Sequence, residues 1–349
     1  MIASDLTDRQ KLILVLTIQE YTKTAQPVAS NRLLQEYGLD LSSATVRNEM
    51  AALADSGYLR QPHTSAGRIP TEEGFRFFVG QLMGQTELPA TTRQTIAHQF
   101  FQTRQDSDES MRLAASVLAK QSHAASLVTA PQHLHGKFKH LELISIRGRQ
   151  ILLVLVMQSG EVRQQMLDLA DHVPQETLSA TANRITELCG SKNQSGIAVL
   201  PPQHDALTDD ILKLVRDLMD QGEEGLSGEV YRDGLLNVLT EPEFAENDSA
   251  RRALRVLEER PFLENLITQT VRNTDIGVVQ VIIGGEGNWE ELSECSMVLA
   301  RYGIHGTATG TLGVLGPIRM RYGRTISTVR FVAGLLSDMV QESHRPAGE

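Results

Sequence analysis

SSATVRNEMAALADSGYLRQPHTSAGRIPTEEGFRFFV, Ser42 to Val79, changes character twice. It opens as a helix beginning at Ser42 or Ser43 and running to Gly57. Stepping about 100° per residue puts Val46, Met50 and Leu53 on one face and Ala44, Asn48, Ala51 and Asp55 near the other, with Thr45 and Arg47 flanking the outer face. "YLRQP" then reads as a short strand, "HTSAG" as a turn and "RIPT" as the returning strand. Finally Thr71, with Gly74 just beyond, caps another helix whose Phe75, Phe78 and Leu82 would anchor the hairpin against the body.

Upstream, Thr7 and Gln10 form a capping box, and Leu12, Ile13, Val15 and Leu16 recur at helical spacing as far as Tyr21. After Pro27, Ser30 can cap a second helix, Asn31 to Tyr37, that Gly38 ends. Three short helices, the last two joined by a tight turn, are the pattern of a helix-turn-helix. Any small three-helix bundle also has an amphipathic third helix, so spacing alone leaves a plain bundle open. The outer face of the third helix favours DNA. It carries short polar side chains and an Arg at its start, where Asn and Arg can make bidentate contacts to bases, whereas a solvated face would carry Lys and Glu. The hairpin that follows makes it a winged helix. A wing lies along phosphates or in the minor groove and must be narrow, polar and positive. The candidate DNA-binding residues are therefore Ser43, Ala44, Thr45, Arg47 and Asn48 on the helix, and Arg60, His63, Thr64, Ser65, Gly67 and Arg68 on the hairpin.

The formal net charge of −10 argues against a nucleic-acid binder until its distribution is counted. Gln203 to Glu264 holds 16 acidic and 7 basic residues, which accounts for most of the excess. Ser56 to Thr71 holds Arg60, Arg68 and His63 with no acid, and local charge governs phosphate contact. At 41% apolar and 22% charged residues, with no apolar run near the roughly 20 a membrane span needs, the composition is that of a soluble globular chain. Its N-terminus lacks the basic region of a signal peptide, which points to the cytoplasm. Cys189 and Cys295 form no CxxC pair and read as buried, inert thiols.

From Thr91 to Gln121 the pattern is helical. "KHLELISIRGRQILLVLVMQSGEVRQQMLDL" from Lys139 reads as three antiparallel strands; "GVVQVIIGG" and "GTATGTLGVLGPIRM" supply further strands of the same sheet, and "ISTVRFVAGLLSDMV" closes as an amphipathic helix. The acidic segment interrupts this sheet with helix-like runs at Gln175–Leu188, Asp209–Met219 and Ala250–Glu259, as an inserted domain would. No reaction centre emerges. Gly306, Gly310, Gly313 and Gly316 do not make GxGxxG and read as turn glycines, and "GGEGNW" lacks the Lys and Ser/Thr of a P-loop. "HLHG" with His140 lacks an acid or cysteine to complete a metal site, and no GxSxG elbow occurs. No cofactor, metal or catalytic residue is expected.

Ser42 to Val79 resembles, nearly position for position, the recognition helix and wing of the heat-inducible transcription repressor HrcA family. "GTLGVLGPIRMRYGRTIS", Gly310 to Ser327, is similar to a second hallmark of that family, and its glycine-glutamate-asparagine turn stands here as "GGEGN", with an extra glycine between Glu286 and Asn288. The resemblance implies an α+β protein with a winged-helix domain over 1–84, connecting helices and the first part of a GAF-like antiparallel sheet domain over 85–168, an inserted α/β dimerisation domain over 169–265, and the rest of the GAF-like domain over 266–349. It also implies a homodimer on an inverted-repeat operator in double-stranded DNA upstream of chaperone operons, with the GroEL/GroES chaperonin as partner. Two competitors stay open: a repressor whose GAF-like domain senses a metabolite, and an enzyme on a GAF-like sheet.

Overall fold

The computed structural model describes residues 6–64, 66–84, 86–104, 106–133, 137–158, 160–203, 205–221, 229–244, 247–271, 274–305 and 307–343. The chain is α+β and separates into two compact units, one of Met1–Ala130, Glu229–Gly303 and Gly310–Glu349, the other of Pro131–Gly228 and Ile304–Thr309. Ser65, Gly306 and the Leu134–Gly136 part of the "HLHG" run lie outside the described residues.

Helix α1, Asp8–Thr24, starts at the capping box: the Thr7 hydroxyl accepts from the Gln10 N–H while the Gln10 side chain accepts from the Thr7 N–H. Helices α2, Ser30–Tyr37, and α3, Ser43–Asp55, follow, α2 ending where Gly38 turns left-handed and α3 beginning under the Ser42 hydroxyl. Ser30 does not cap α2; Ala29 holds the cap position, because the Ser30 hydroxyl is turned inward to Ser43 Oγ at 3.2 Å. Strands β1, Leu59–Arg60, and β2, Ile69–Pro70, pair antiparallel, and Val28 adds a bridge to Arg68. Helix α4, Glu72–Phe77, passes into a π-helical turn, Phe78–Leu82. The buried aromatics differ from the sequence expectation. Phe75 and Phe77 pack inward, Phe77 with its ring 5.0 Å from Tyr58, while Phe78 and Leu82 are only half-buried.

Helices α5, Ala90–Thr103, and α6, Ser107–Ser122, lead to β3, Ala125–Thr129, after which the chain enters the second unit. There, beyond the short β4, Gln132–His133, strands β5, Phe138–Arg147, β6, Gln150–Met157, and β7, Val162–Asp168, form a three-stranded antiparallel meander. Helices α7, Gln175–Cys189, α8, Gln194–Ala198, and α9, Ala206–Gln221, complete it. One face of the meander, with Leu141, Leu143, Ile151, Leu153 and Leu155, joins Leu178 and Ile185 of α7 and Ile211 and Val215 of α9 in one buried cluster.

The chain returns as β8, Val230–Asp233, and continues through α10, Leu235–Leu239, α11, Asn247–Glu258, α12, Arg260–Val271, β9, Val279–Ile283, β10, Cys295–Ile304, β11, Ala308–Pro317, and α13, Tyr322–Ser343. The large sheet runs in the order β8-β3-β11-β10-β9, all antiparallel, with β4 also pairing to β11. This corrects the sequence expectation of one sheet spanning residues 139–317. Among the described residues strands β5–β7 pair with one another and not with the large sheet, and they lie in the compact unit of Pro131–Gly228 and Ile304–Thr309. The strands themselves were read correctly; alternation reports that a strand exists, not which strand it pairs with. Gly310, Gly313 and Gly316 are likewise not turn residues. They lie inside β11, and a Cβ on Gly310 would fall 2.5 Å from the Tyr302 ring, one on Gly313 2.5 Å from the Val298 carbonyl.

Candidate nucleic-acid interface

The three helices lock together through charge and short polar contacts. Glu20 of α1 is only 2% exposed and accepts from Arg32 Nε of α2 at 2.7 Å. That hydrogen bond, with the carboxylate's charge, raises the Arg32 pKa. Ser43 Oγ bonds Ser30 Oγ and donates to Asn31 Oδ1, and Thr45 Oγ1 lies 2.8 Å from Ser42 Oγ. Ser43 and Thr45 are therefore engaged in holding the turn between α2 and α3. Ala44, Arg47 and Asn48 are exposed on the outer side, as the 100° spacing requires. Glu49 on the same helix is matched by Arg9 at 3.5 Å, while Arg47 makes no ion pair among the described residues.

The hairpin is pinned on one side and open on the other. Val28 and Arg68 exchange two backbone hydrogen bonds, each of 2.8 Å. This explains Gly67: a Cβ there would lie 2.4 Å from the Val28 carbonyl, so only glycine lets the two backbones meet. Gly67 thus shapes the hairpin, and Arg68 is held at its backbone with its side chain half-buried. His63 and Thr64 are exposed at the tip. Gln61, which the sequence reading passed over, closes that tip: its Nε2 donates to the carbonyls of Thr64 at 2.9 Å and Ala66 at 3.0 Å. Nothing in a lone Gln before a Pro announces this.

Arg60 takes a different course. It lines a cleft of about 620 Å³ with Tyr21, Glu72, Glu73, Glu243 and Arg319. The structure therefore brings Ala44, Arg47 and Asn48 onto one face and His63 and Thr64 onto one tip, while Arg60 is exposed at the edge of the cleft. A strand of two residues has no period from which its side could be read.

A second groove, of about 680 Å³, is lined by Val15, Lys23, Phe78, Met320, Arg321 and Arg324 among others. Among the described residues no three His, Cys, Asp or Glu side chains group as a metal site, and His140 is 2.8 Å from Glu142. No helix of the described residues is long and apolar enough to cross a membrane.

The family described as "HrcA protein C terminal domain" matches residues 108–326. The chain is 44% identical over 354 residues to the heat-inducible transcription repressor HrcA of Roseiflexus castenholzii, covering 99% of this chain and 98% of that protein. To the repressor of the same name from Herpetosiphon aurantiacus it is 43% identical, covering 96% of each. Among solved structures, the crystal structure of a hypothetical protein is similar in fold, with a TM-score of 0.58 and 22% identity over 97% of this chain and 98% of that one.

Proposed function

The chain belongs to the family of heat-inducible transcription repressors named HrcA, which are regulators and not enzymes, and we propose that it represses by binding an inverted-repeat operator as a homodimer. The first three helices and the hairpin act as a winged helix-turn-helix. Helix α3 enters the major groove, with Arg47 and Asn48 reading base edges and Ala44 allowing close approach. Ser43 and Thr45 hold the helix at the angle of entry. The hairpin lies along phosphates, for which His63, Thr64, Ser65 and Arg68 are the proposed contacts, and Gly67 sets its course. The observation that carries this reading is the outer face of α3, where Arg47 and Asn48 stand exposed, Arg47 with no ion pair among the described residues, while the neighbouring Glu49 is matched by Arg9.

Arg47→Ala is expected to cost about 1–3 kcal/mol on operator DNA only, and Arg68→Ala to weaken all DNA alike and lower the salt slope by about 1. Gel-shift titrations against an inverted repeat and its scrambled control separate the two effects. Equal losses from both variants on both duplexes would refute the division of labour.

Dimerisation is best supported at the uncovered face of the β5–β7 meander. Register places Ile144, Leu152 and Met166 in one row and Val156 and Val162 in another, all on the face opposite the α7–α9 cluster. Ile144, Val162 and Met166 are 41%, 52% and 53% exposed. The row of Glu142, Val154 and Gln164 lies between them, so the face is two apolar rows around a polar one, and on a repressor of a two-fold operator it fits a second copy of the same chain. The large sheet, which we place with GAF-like folds, contributes the remainder of the subunit.

Chaperonin dependence fits the same chain. Strand β3 must wait for β8 and β11, which follow residues 131–228, and such non-local pairing is slow and leaves apolar edges exposed. "ILLVLVM", Ile151 to Met157, adds an uncharged run prone to aggregate meanwhile. Refolding from denaturant with and without GroEL, GroES and ATP, followed by operator titration, measures the active fraction. Equal fractions at 25 °C and at heat-shock temperature, with or without chaperonin, would sink this part of the proposal.

A further inference from the structure

The Gly284–Gly287 turn after β9 has an unusual backbone: Gly284, Gly285 and Glu286 are all left-handed, at φ +62°, +69° and +51°. The space this opens is occupied from far away in sequence. A Cβ on Gly284 would fall 2.2 Å from the carboxyl carbon of Glu72, in the first turn of α4. One turn further along α4, Arg76 donates to Glu72 at 2.8 Å and to the Ile283 carbonyl, just before the turn, at 2.9 Å. Between these two residues Phe75 sets its ring 6.1 Å from that of Tyr322, at the start of α13, and 6.4 Å from Tyr21 of α1. The Tyr322 hydroxyl is itself fixed, donating to the Ile318 carbonyl at 2.6 Å and lying 2.7 Å from Ser296 Oγ. Next to it Arg319 forks onto Glu243 and Glu241 and points a further N–H at the carbonyl of Thr22, at the end of α1.

We infer that the Gly284 turn and Arg319 form the seat that fixes the DNA-reading helices on the large sheet, so that Glu72, Arg76 and Arg319 are positioning residues for operator recognition. The inference rests on the DNA-binding reading above. An inverted repeat is read only if two recognition helices are held at a set distance and angle, about 34 Å apart for successive major grooves. Three short helices and a hairpin cannot set that distance themselves. It must be transmitted through whatever grips them, and here the grip is on α4, the helix that follows the hairpin, and on the end of α1. Arg76 and Arg319 suit the task because a planar guanidinium can hold carboxylates and a carbonyl at once, which an ammonium cannot do in fixed geometry. None of these residues needs to touch DNA.

The test uses the full chain and the variants Gly284→Ala, Arg76→Ala, Arg76→Lys and Arg319→Ala. Each is checked for dimerisation and helical content, then titrated on three kinds of duplex: the inverted repeat preceding this organism's own chaperone genes, versions with the half-sites moved apart by successive base pairs, and a scrambled control. Gly284→Ala, Arg76→Ala and Arg319→Ala are expected to bind scrambled DNA as the parent does and to lose about tenfold on the native repeat, within the range by which packed contacts couple distant sites. Their preference for the native half-site spacing should flatten, and Arg76→Lys should recover part of it. A seat of no importance to recognition would leave affinity and spacing preference at parental values. Parallel losses on native and scrambled DNA would equally overturn the inference, since they mark damage to the reading helices themselves. If the parent does not distinguish the repeat from its scramble, it is the DNA-binding reading that fails.

Discussion

Every residue of β11 is buried from Ala308 to Pro317, whereas every other side chain of β7 is exposed from Val162 to Asp168. Both strands belong to antiparallel sheets, and both sheets have a buried core. The difference lies in how many faces are covered. The β5–β7 meander packs one face on α7 and α9 and leaves the other open, so its strands alternate. Strand β11, with neighbours on both sides, holds small residues where large ones cross it: Gly310 under Tyr302, Gly313 against Leu299 and Val298. The closed sheet is specified by volume and the open one by pattern, so their tolerance to substitution should differ.

The largest effect is expected where volume rules. Gly310→Val forces a side chain into the Tyr302 ring and should cost about 3 kcal/mol of stability in urea unfolding. A cost below about 1 kcal/mol would mean that the ring is free to move aside. Next comes Tyr302→Phe, which keeps the ring but deletes the hydroxyl that donates to the Thr129 carbonyl in the buried sheet. About 1.5 kcal/mol should be lost, the cost of leaving a buried carbonyl without that donor. Met166→Glu, on the open face, should change the subunit's own stability by less than about 0.5 kcal/mol, as surface substitutions do. Sedimentation should nevertheless show dimers giving way to monomers, and an unchanged dimer would place the interface elsewhere. The smallest effect is a non-reaction. Burial pushes the Cys189 thiol up to about 11 and the Cys295 thiol to about 12, so neither should label at pH 8 in the native protein. Since α7 carries one and β10 the other, the order in which they label in rising denaturant reports which unit opens first.

Much of the architecture was legible because it is local. The Thr7–Gln10 capping box, the αL stop at Gly38 and the inner face of Val46, Met50 and Leu53 follow from side chains three or four residues apart, and the structure has all three. What the sequence hid is non-local. The partition of strands between two sheets depends on partners more than a hundred residues away, such as Leu127 beside Gly313. The exposed positions Ala44, Arg47 and Asn48 could be found by angle, yet the course of Arg60 into a cleft could not, nor the reason for Gly67, which is the backbone of Val28. Phe77 takes the place in the core that the sequence reading gave to Phe78, and no residue type there signals the π-turn that follows.

The pairing of β3 with β8 has a consequence for how such a protein could have been assembled. Thr129 and Val230 are opposite one another in the ladder, and the Ala130 N–H donates to the Glu229 carbonyl at 3.0 Å. The 131–228 segment thus stands where the loop of a β3–β8 hairpin would and belongs to a compact unit of its own. Because loop-closure entropy rises only with the logarithm of length, about 0.6 kcal/mol per doubling, lengthening the loop from a handful of residues to a hundred costs about 3 kcal/mol, which the insert's own buried core can offset. An engineer could therefore close Thr129 to Val230 with a two-residue turn or graft in a coiled coil of chosen length, removing from the large sheet the short pairing of β4 to β11.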